Sequence, residues 1–154
     1  MLDPMGDPYQ LFMSAPAPED YVRLRRVSGL TPRSIEQARL AIPGSWTICH
    51  VVDNASGQAV AMGRVIGDGG WYFHIVDMAV EPGHQRRGLG DRMLTQLVGE
   101  IRSTVPAGAF VSLMADPPGR ALYSRHGFTE DRDASIGMAL WLAPTTTSDA
   151  ENHR

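Results

Sequence analysis

With one cysteine, Cys49, the chain can form neither an internal disulfide nor a multi-cysteine zinc site, and a reducing compartment such as the cytoplasm is the expected setting. Basic charge is not in excess: 14 Lys+Arg stand against 17 Asp+Glu, a net charge of −3. That balance is the opposite of the surplus that marks a duplex-binding domain, so no nucleic-acid partner is expected. No stretch approaches the ~20 apolar residues that cross a bilayer. The opening from Met1 to Asp7 is acidic and interrupted by proline, unlike a secretory leader. A soluble, unexported protein with no membrane partner is the expectation.

What is present is an ordinary globular composition, 43% hydrophobic and 20% charged over 154 residues, enough for one domain with a core. Residues 1–19 carry four prolines and read as an irregular lead-in in which Tyr9, Leu11 and Phe12 dock locally. Residues 144–154 are Thr/Ser/acidic without apolar periodicity and read as a flexible tail, leaving 20–143 as the domain proper.

Residues 21–27 alternate apolar and polar side chains and predict a strand with Arg23, Arg25 and Arg26 along a solvated edge. Thr31 followed by Pro32 predicts the start of a helix that turns Ile35, Ala38 and Leu40 inward and stops before Pro43. Residues 46–52, 58–66 and 71–80, separated by glycine-bearing turns, predict a meander of three strands. Met93, Leu94, Leu97, Val98 and Ile101 share one helical face. A strand at 109–115 follows, then a short helix opened by Pro117 and Pro118 and closed by Gly127, with closing strands at 128–130 and 136–142. The order predicts a mixed α/β (α+β) fold, not a doubly wound repeat.

Between the strongest strand and the most regular helix lies Gln85-Arg86-Arg87-Gly88-Leu89-Gly90-Asp91. Glycines at 88 and 90 permit a tight turn that presents consecutive N–H groups, and the following helix adds the positive end of its dipole. The combination suits a pyrophosphate, with Arg86 and Arg87 at the rim; a tight solvent-facing basic loop satisfies the same letters. A nucleoside-triphosphate loop is absent, and a dinucleotide fingerprint lacks its third glycine.

In this setting the chain resembles the GNAT superfamily of N-acetyltransferases, whose acetyl-CoA loop reads Gln/Arg-x-x-Gly-x-Gly/Ala. The resemblance extends to the strand from Ile75 to Pro82 and to Ala121-Leu122-Tyr123-Ser124-Arg125-His126-Gly127-Phe128, and it covers the chain from Tyr21 to Leu142. It implies a mostly antiparallel, twisted central sheet flanked by helices and a reaction that moves an acetyl group from acetyl-CoA, a cosubstrate, to a primary amine of a small molecule or peptide by direct attack in a ternary complex. It further implies that main-chain groups of Met78, Ala79 and Val80 pair with the pantetheine arm, and that the amides of Gln85 through Gly90, with Asp91, hold the pyrophosphate. Asp116 stands where many members have an asparagine near that arm. A homodimer follows from the same analogy.

The chemistry needs a neutral amine, and an alkylamine of pKa ~10.4 is neutral about one part in a thousand near neutrality. His74 is the leading base: the resemblance places a glutamate or histidine there in several members, and period-2 geometry puts it on the face of Met78. A histidine that merely packs in a half-buried strand is the plain alternative. Asp77 points the other way in a regular strand, but a bulge would re-aim it as reserve base or as anchor for a cationic acceptor. The Met78 N–H is the natural oxyanion donor, and the resemblance sets Tyr123 beside the departing thiolate as hydrogen-bond donor. Cys49 and His50 read as packing, His84 as a loop residue and His126 as a partner of a helix dipole; their spacing supplies no metal site. Asp68, Asp77 and Glu81 suit a cationic acceptor, although charge alone does not separate the amine classes. Two other readings stay open: a non-catalytic acyl-CoA-binding regulatory module, and an interaction domain whose loop binds another anion.

Overall fold

The computed structural model describes residues 6–130 and 135–142. Its elements run β1 (Tyr9–Phe12), α1 (Pro18–Val27), α2 (Ile35–Ala41), β2 (Thr47–Asp53), β3 (Ala59–Gly67), β4 (Tyr72–Val80), α3 (Leu89–Thr104), β5 (Phe110–Leu113) and α4 (Arg120–Arg125). The five strands form one sheet in chain order, antiparallel from β1 to β4, with β5 parallel to β4. The mixed fold and the three-strand meander therefore stand as expected.

The sheet is covered on both faces. Met93, Leu94, Leu97 and Ile101 of α3 pack on Val51, Val65, Phe73 and Ile75 on one side. Tyr21 and Leu24 of α1 and Ala38 of α2 close over Ala59, Met62 and Ala79 on the other. The i, i+4, i+8 apolar pattern of α3 reaches the core as its period requires.

Four expectations are corrected. Residues 21–27 are helix, not strand: Pro18 sits in the first turn with Glu19 and Asp20, and Arg25 and Arg26 sit in the last, complementing the dipole at both ends. Tyr21, Leu24 and Arg25 fall on one helical face, so Arg25 is buried at 9% exposure and is not part of a solvated edge. The second helix is capped by Ser34, whose hydroxyl accepts from the Gln37 N–H while the Gln37 side chain accepts from the Ser34 N–H. That box starts the helix three residues after Thr31 and leaves Leu40 at 75% exposure instead of inward. Within the lead-in, Tyr9–Phe12 is an edge strand paired with β2 from Tyr9↔Asp53 to Phe12↔His50.

The fourth correction concerns the closing strands. Phe128 extends the α4 turn by donating its N–H to the Tyr123 carbonyl, and among the described residues 128–130 and 135–142 form no strand of the sheet. The latter segment runs outward instead, with Gly137 beside Met114 and Trp141 beside the Arg33 guanidinium. An unbroken apolar run has no period of its own to tell a strand from an extended crossing. The flexible tail expected at 144–154 lies outside the described residues.

Buried and exposed leucines on the first two helices give a direct check of this architecture. Leu24→Ala is expected to cost about 2–5 kcal/mol in urea unfolding, and Leu40→Ala to stay within about 0.5 kcal/mol.

Candidate active site

β4 and β5 pair from Tyr72↔Phe110 only as far as Ile75↔Leu113, after which β5 ends and β4 continues to Val80. Five residues, Val76 to Val80, thus have no partner on the β5 side, and their main-chain groups line an open wedge. Met78, Ala79 and Val80, expected to pair with a pantetheine arm, lie in it.

The wedge contains a bulge. β3 pairs Arg64↔Val76 and then Met62↔Ala79, so β4 holds two residues where β3 holds one. Asp77 takes the positive φ, 58°, that this requires. The extra residue inverts the alternation: Phe73 and Ile75 face α3, and so does Met78, while His74 stays on the α1/α2 face. His74 and Met78 therefore do not share a face as the regular period predicts. Gly63 makes room opposite the bulge, since a Cβ there would lie 2.4 Å from Met78 Sδ.

The bulge does re-aim Asp77, but into an ion-pair cluster. Its Oδ2 accepts from Tyr21 O–H at 2.5 Å and from Arg64 Nε at 2.5 Å, and its Oδ1 accepts from Arg25 Nη1. With one donor each from Tyr21, Arg25 and Arg64 turned on it, this carboxylate is an anchor between α1, β3 and β4. Burial, followed by donation to Asp77, raises the Tyr21 pKa above its ordinary value. The other acids proposed to attract a cation are also engaged: Glu81 pairs with Arg23 at 3.1 Å, and Asp68 accepts from the amides of Gly70, Trp71 and Tyr72.

His74 stands one rung below the point where the strands part, opposite Ser112. Its Nδ1 lies 2.8 Å from Ser112 Oγ, which lies 3.4 Å from the Phe73 carbonyl. A hydroxyl has one proton. When Ser112 donates it to Phe73, Nδ1–H of His74 donates to Ser112 and Nε2 is left as the acceptor. Burial lowers the His74 pKa below 6.5, favouring the neutral ring at pH 7. Ser112 is invisible to local sequence reasoning because the two residues are 38 positions apart.

Beyond Val80, Gln85 Nε2 donates to the Val80 carbonyl, and Gly88 adopts φ 76° as N-cap of α3. Among the described residues no backbone acceptor takes the N–H of Arg86, Arg87, Gly88, Leu89, Gly90 or Asp91, whereas Arg92 N–H already bonds the Gly88 carbonyl. Six consecutive amides at the positive end of a four-turn helix form an anion cradle. Gly90 also lets α4 approach, because a Cβ there would meet Leu122 at 2.9 Å. The rim differs from expectation: Arg87 turns away to donate to Tyr9 O–H at 3.0 Å, and that hydroxyl meets His84 Nδ1 at 2.8 Å, so the loop is tied to β1. Arg86, exposed and free of ion pairs among the described residues, keeps its charge at the mouth. The Asp91 carboxylate pairs with His126 and Arg125 of the α4 end, which hold it below the usual carboxylate range, and only its main-chain N–H is turned to the cradle.

Tyr123 of α4 is half-buried, its ring edge-on to Phe128 and its hydroxyl without a hydrogen-bond partner among the described residues. Burial, then the nearby charge of exposed Asp116, raises its pKa above the ordinary value and keeps it protonated. The remaining candidates have structural partners. His50 Nδ1 lies 2.7 Å from the Ser14 carbonyl, and burial pushes the Cys49 thiol up to about 12. No group of three or more metal-ligating side chains occurs among the described residues.

A sheet that parts beside a bulged strand, followed by a loop of free amides capping a helix, is the arrangement found here, and the acetyltransferase (GNAT) domain family matches residues 45–130; the chain belongs to this family. It is 34% identical over 116 residues to serotonin N-acetyltransferase 2, chloroplastic, of Oryza sativa subsp. japonica, covering 73% of this chain and 56% of that protein. It is 27% identical to an uncharacterized N-acetyltransferase of Pyropia yezoensis, over 71% of this chain and 63% of the other. The chain thus spans a little over half the length of these relatives. Among solved structures, a probable acetyltransferase from meticillin-resistant Staphylococcus aureus superposes with a TM-score of 0.82 at 32% identity, covering 87% of this chain and 99% of that one.

Removing the anchor tests the cluster. Asp77→Ala leaves two guanidiniums facing each other in a half-buried site and is expected to lower stability by about 3–5 kcal/mol in urea unfolding. Glu100→Ala, at an exposed position of α3, serves as the mild control.

Proposed function

We propose that this protein is an acetyltransferase that moves an acetyl group from acetyl-CoA to a primary amine of a small molecule or peptide within a ternary complex. The observation that carries this reading is the continuity between the open edge of β4, Val76 to Val80, and the six free amides from Arg86 to Asp91. An extended pantetheine chain suits the first, and a diphosphate suits the second. The residues present therefore fit coenzyme A, and Asp116, exposed at the mouth, contributes no direct contact that the fit requires.

In this reading His74 Nε2 accepts the ammonium proton, directly or through a water, and the amine nitrogen forms its bond to the thioester carbonyl carbon. The Met78 N–H donates to the oxygen as negative charge gathers on it; one such fixed donor contributes about 3–4 kcal/mol. The carbon–sulfur bond then breaks, the sulfur leaves as thiolate and takes up the second proton that the nitrogen gives up, and the first proton passes from His74 to solvent, leaving an amide and a free thiol. Tyr123, its pKa raised, supports the sulfur as a hydrogen-bond donor: complete transfer from a phenol to a thiolate of pKa ~8.5 is uphill from the outset. A homodimer remains part of the proposal by family analogy.

Two experiments test the reading. Tyr123→Phe is expected to reduce kcat for thiol release by about 10²-fold while leaving the calorimetric Kd for CoA essentially unchanged; an unaltered kcat contradicts the role. Because burial depresses the His74 pKa, protonation removes the base only below pH 6.5, so the acid limb of the kcat profile falls there and disappears in His74→Gln. An acid limb that persists in that variant points to another base.

A further inference from the structure

We infer that the acceptor carries, besides its amine, an anionic group, a carboxylate or a phosphate, and that Arg64 binds it. This deepens the transferase reading and rests on it for the place of the amine. Three guanidiniums approach the α1/α2 face of the sheet, and two have both Nη atoms bonded. Arg25 donates from Nη1 to Asp77 and from Nε and Nη2 to the Thr31 carbonyl. Arg23 donates from Nη1 to Glu81 and from Nη2 to Asp20 and the Ala59 carbonyl. Arg64 uses only Nε, on Asp77, and among the described residues its two Nη atoms have no hydrogen-bond partner although the side chain is 14% exposed.

These Nη atoms are not sealed in protein. Ser45 Oγ is the one fully enclosed polar side-chain atom without a partner among the described residues, so the Arg64 fork keeps access to whatever enters from that face. Its location is suitable. β3 and β4 pair Arg64↔Val76 and Ile66↔His74, which makes Arg64 and His74 diagonal neighbours on one face of the ladder. A molecule that brings its amine to His74 meets the same face of the sheet as this guanidinium, whose planar geometry matches two oxygens of a carboxylate or phosphate.

The acids around the fork are already bound: Asp20 and Glu81 share Arg23, Asp77 holds Arg25 and Arg64 Nε, and Asp68 accepts from main-chain amides, so none of them bonds the Arg64 Nη atoms. The acids that the sequence offers to a cationic acceptor are thus occupied, while the Arg64 fork stays available to an anion.

The test compares matched acceptors by thiol release: 5-hydroxytryptophan with serotonin, γ-aminobutyrate with butylamine, and phosphoethanolamine with ethylamine. The anionic member of at least one pair is expected to have a kcat/KM about tenfold higher, through KM, and Arg64→Lys to bring that ratio towards one. Neutral members equal to or better than their anionic partners in all three pairs overturn the inference while leaving the transferase reading intact. Binding is measured separately with butyrate and ethyl phosphate on wild-type protein saturated with CoA. If these raise the melting temperature and no amine is acetylated, the transferase reading fails and the anion site stands. Which pair responds separates carboxylate from phosphate, and the wild-type comparisons decide the matter even where the lysine variant does not fold.

Discussion

The Asp77 carboxylate sits where β4 gains an extra residue and is held there by Arg25, Arg64 and Tyr21. A non-glycine residue at positive φ is strained in isolation, and a buried carboxylate is costly without partners. Here each difficulty resolves the other: the left-handed turn points the carboxylate at two guanidiniums, and those contacts keep the turn. Because the partners come from α1 and β3, the cluster also fixes the helix over the sheet.

Everything in the candidate site follows from the bulge that this cluster holds. It turns the Met78 side chain towards α3 while His74 remains on the other face, beside the parting of β4 and β5. The strand then delivers the chain into a loop whose free amides begin α3. That loop is braced by Arg87 on Tyr9 and by the close approach of Leu122 to Gly90, and its N–H groups have no backbone acceptor among the described residues.

The features legible from residue order are those with a local cause. The meander is announced by turns between β-rich runs, α3 by its apolar period, and the amide loop by two glycines before an amphipathic helix; all three need only neighbouring residues. Residues 21–27 misled because a core position is filled by Arg25, whose burial makes sense only with Asp77, 52 residues away. The bulge was not legible because it depends on Gly63 of the adjoining strand, and β1 was hidden because four residues among prolines acquire strand geometry only by pairing with β2. The fates of Asp77 and Glu81 follow the same logic: acids that look like bait for a cation in the sequence are neutralised by arginines from α1 and β3.

Backbone amide resonances followed while CoA is titrated into ¹⁵N-labelled protein test the central claim most directly. Binding across the parted strands and the free-amide loop predicts that Val76 to Val80 and Arg86 to Asp91 shift together in one saturable process, while Thr104 and Gly108, at the opposite end of α3 from the loop, stay in place. Shifts confined to other surfaces, or none at saturating CoA, contradict it.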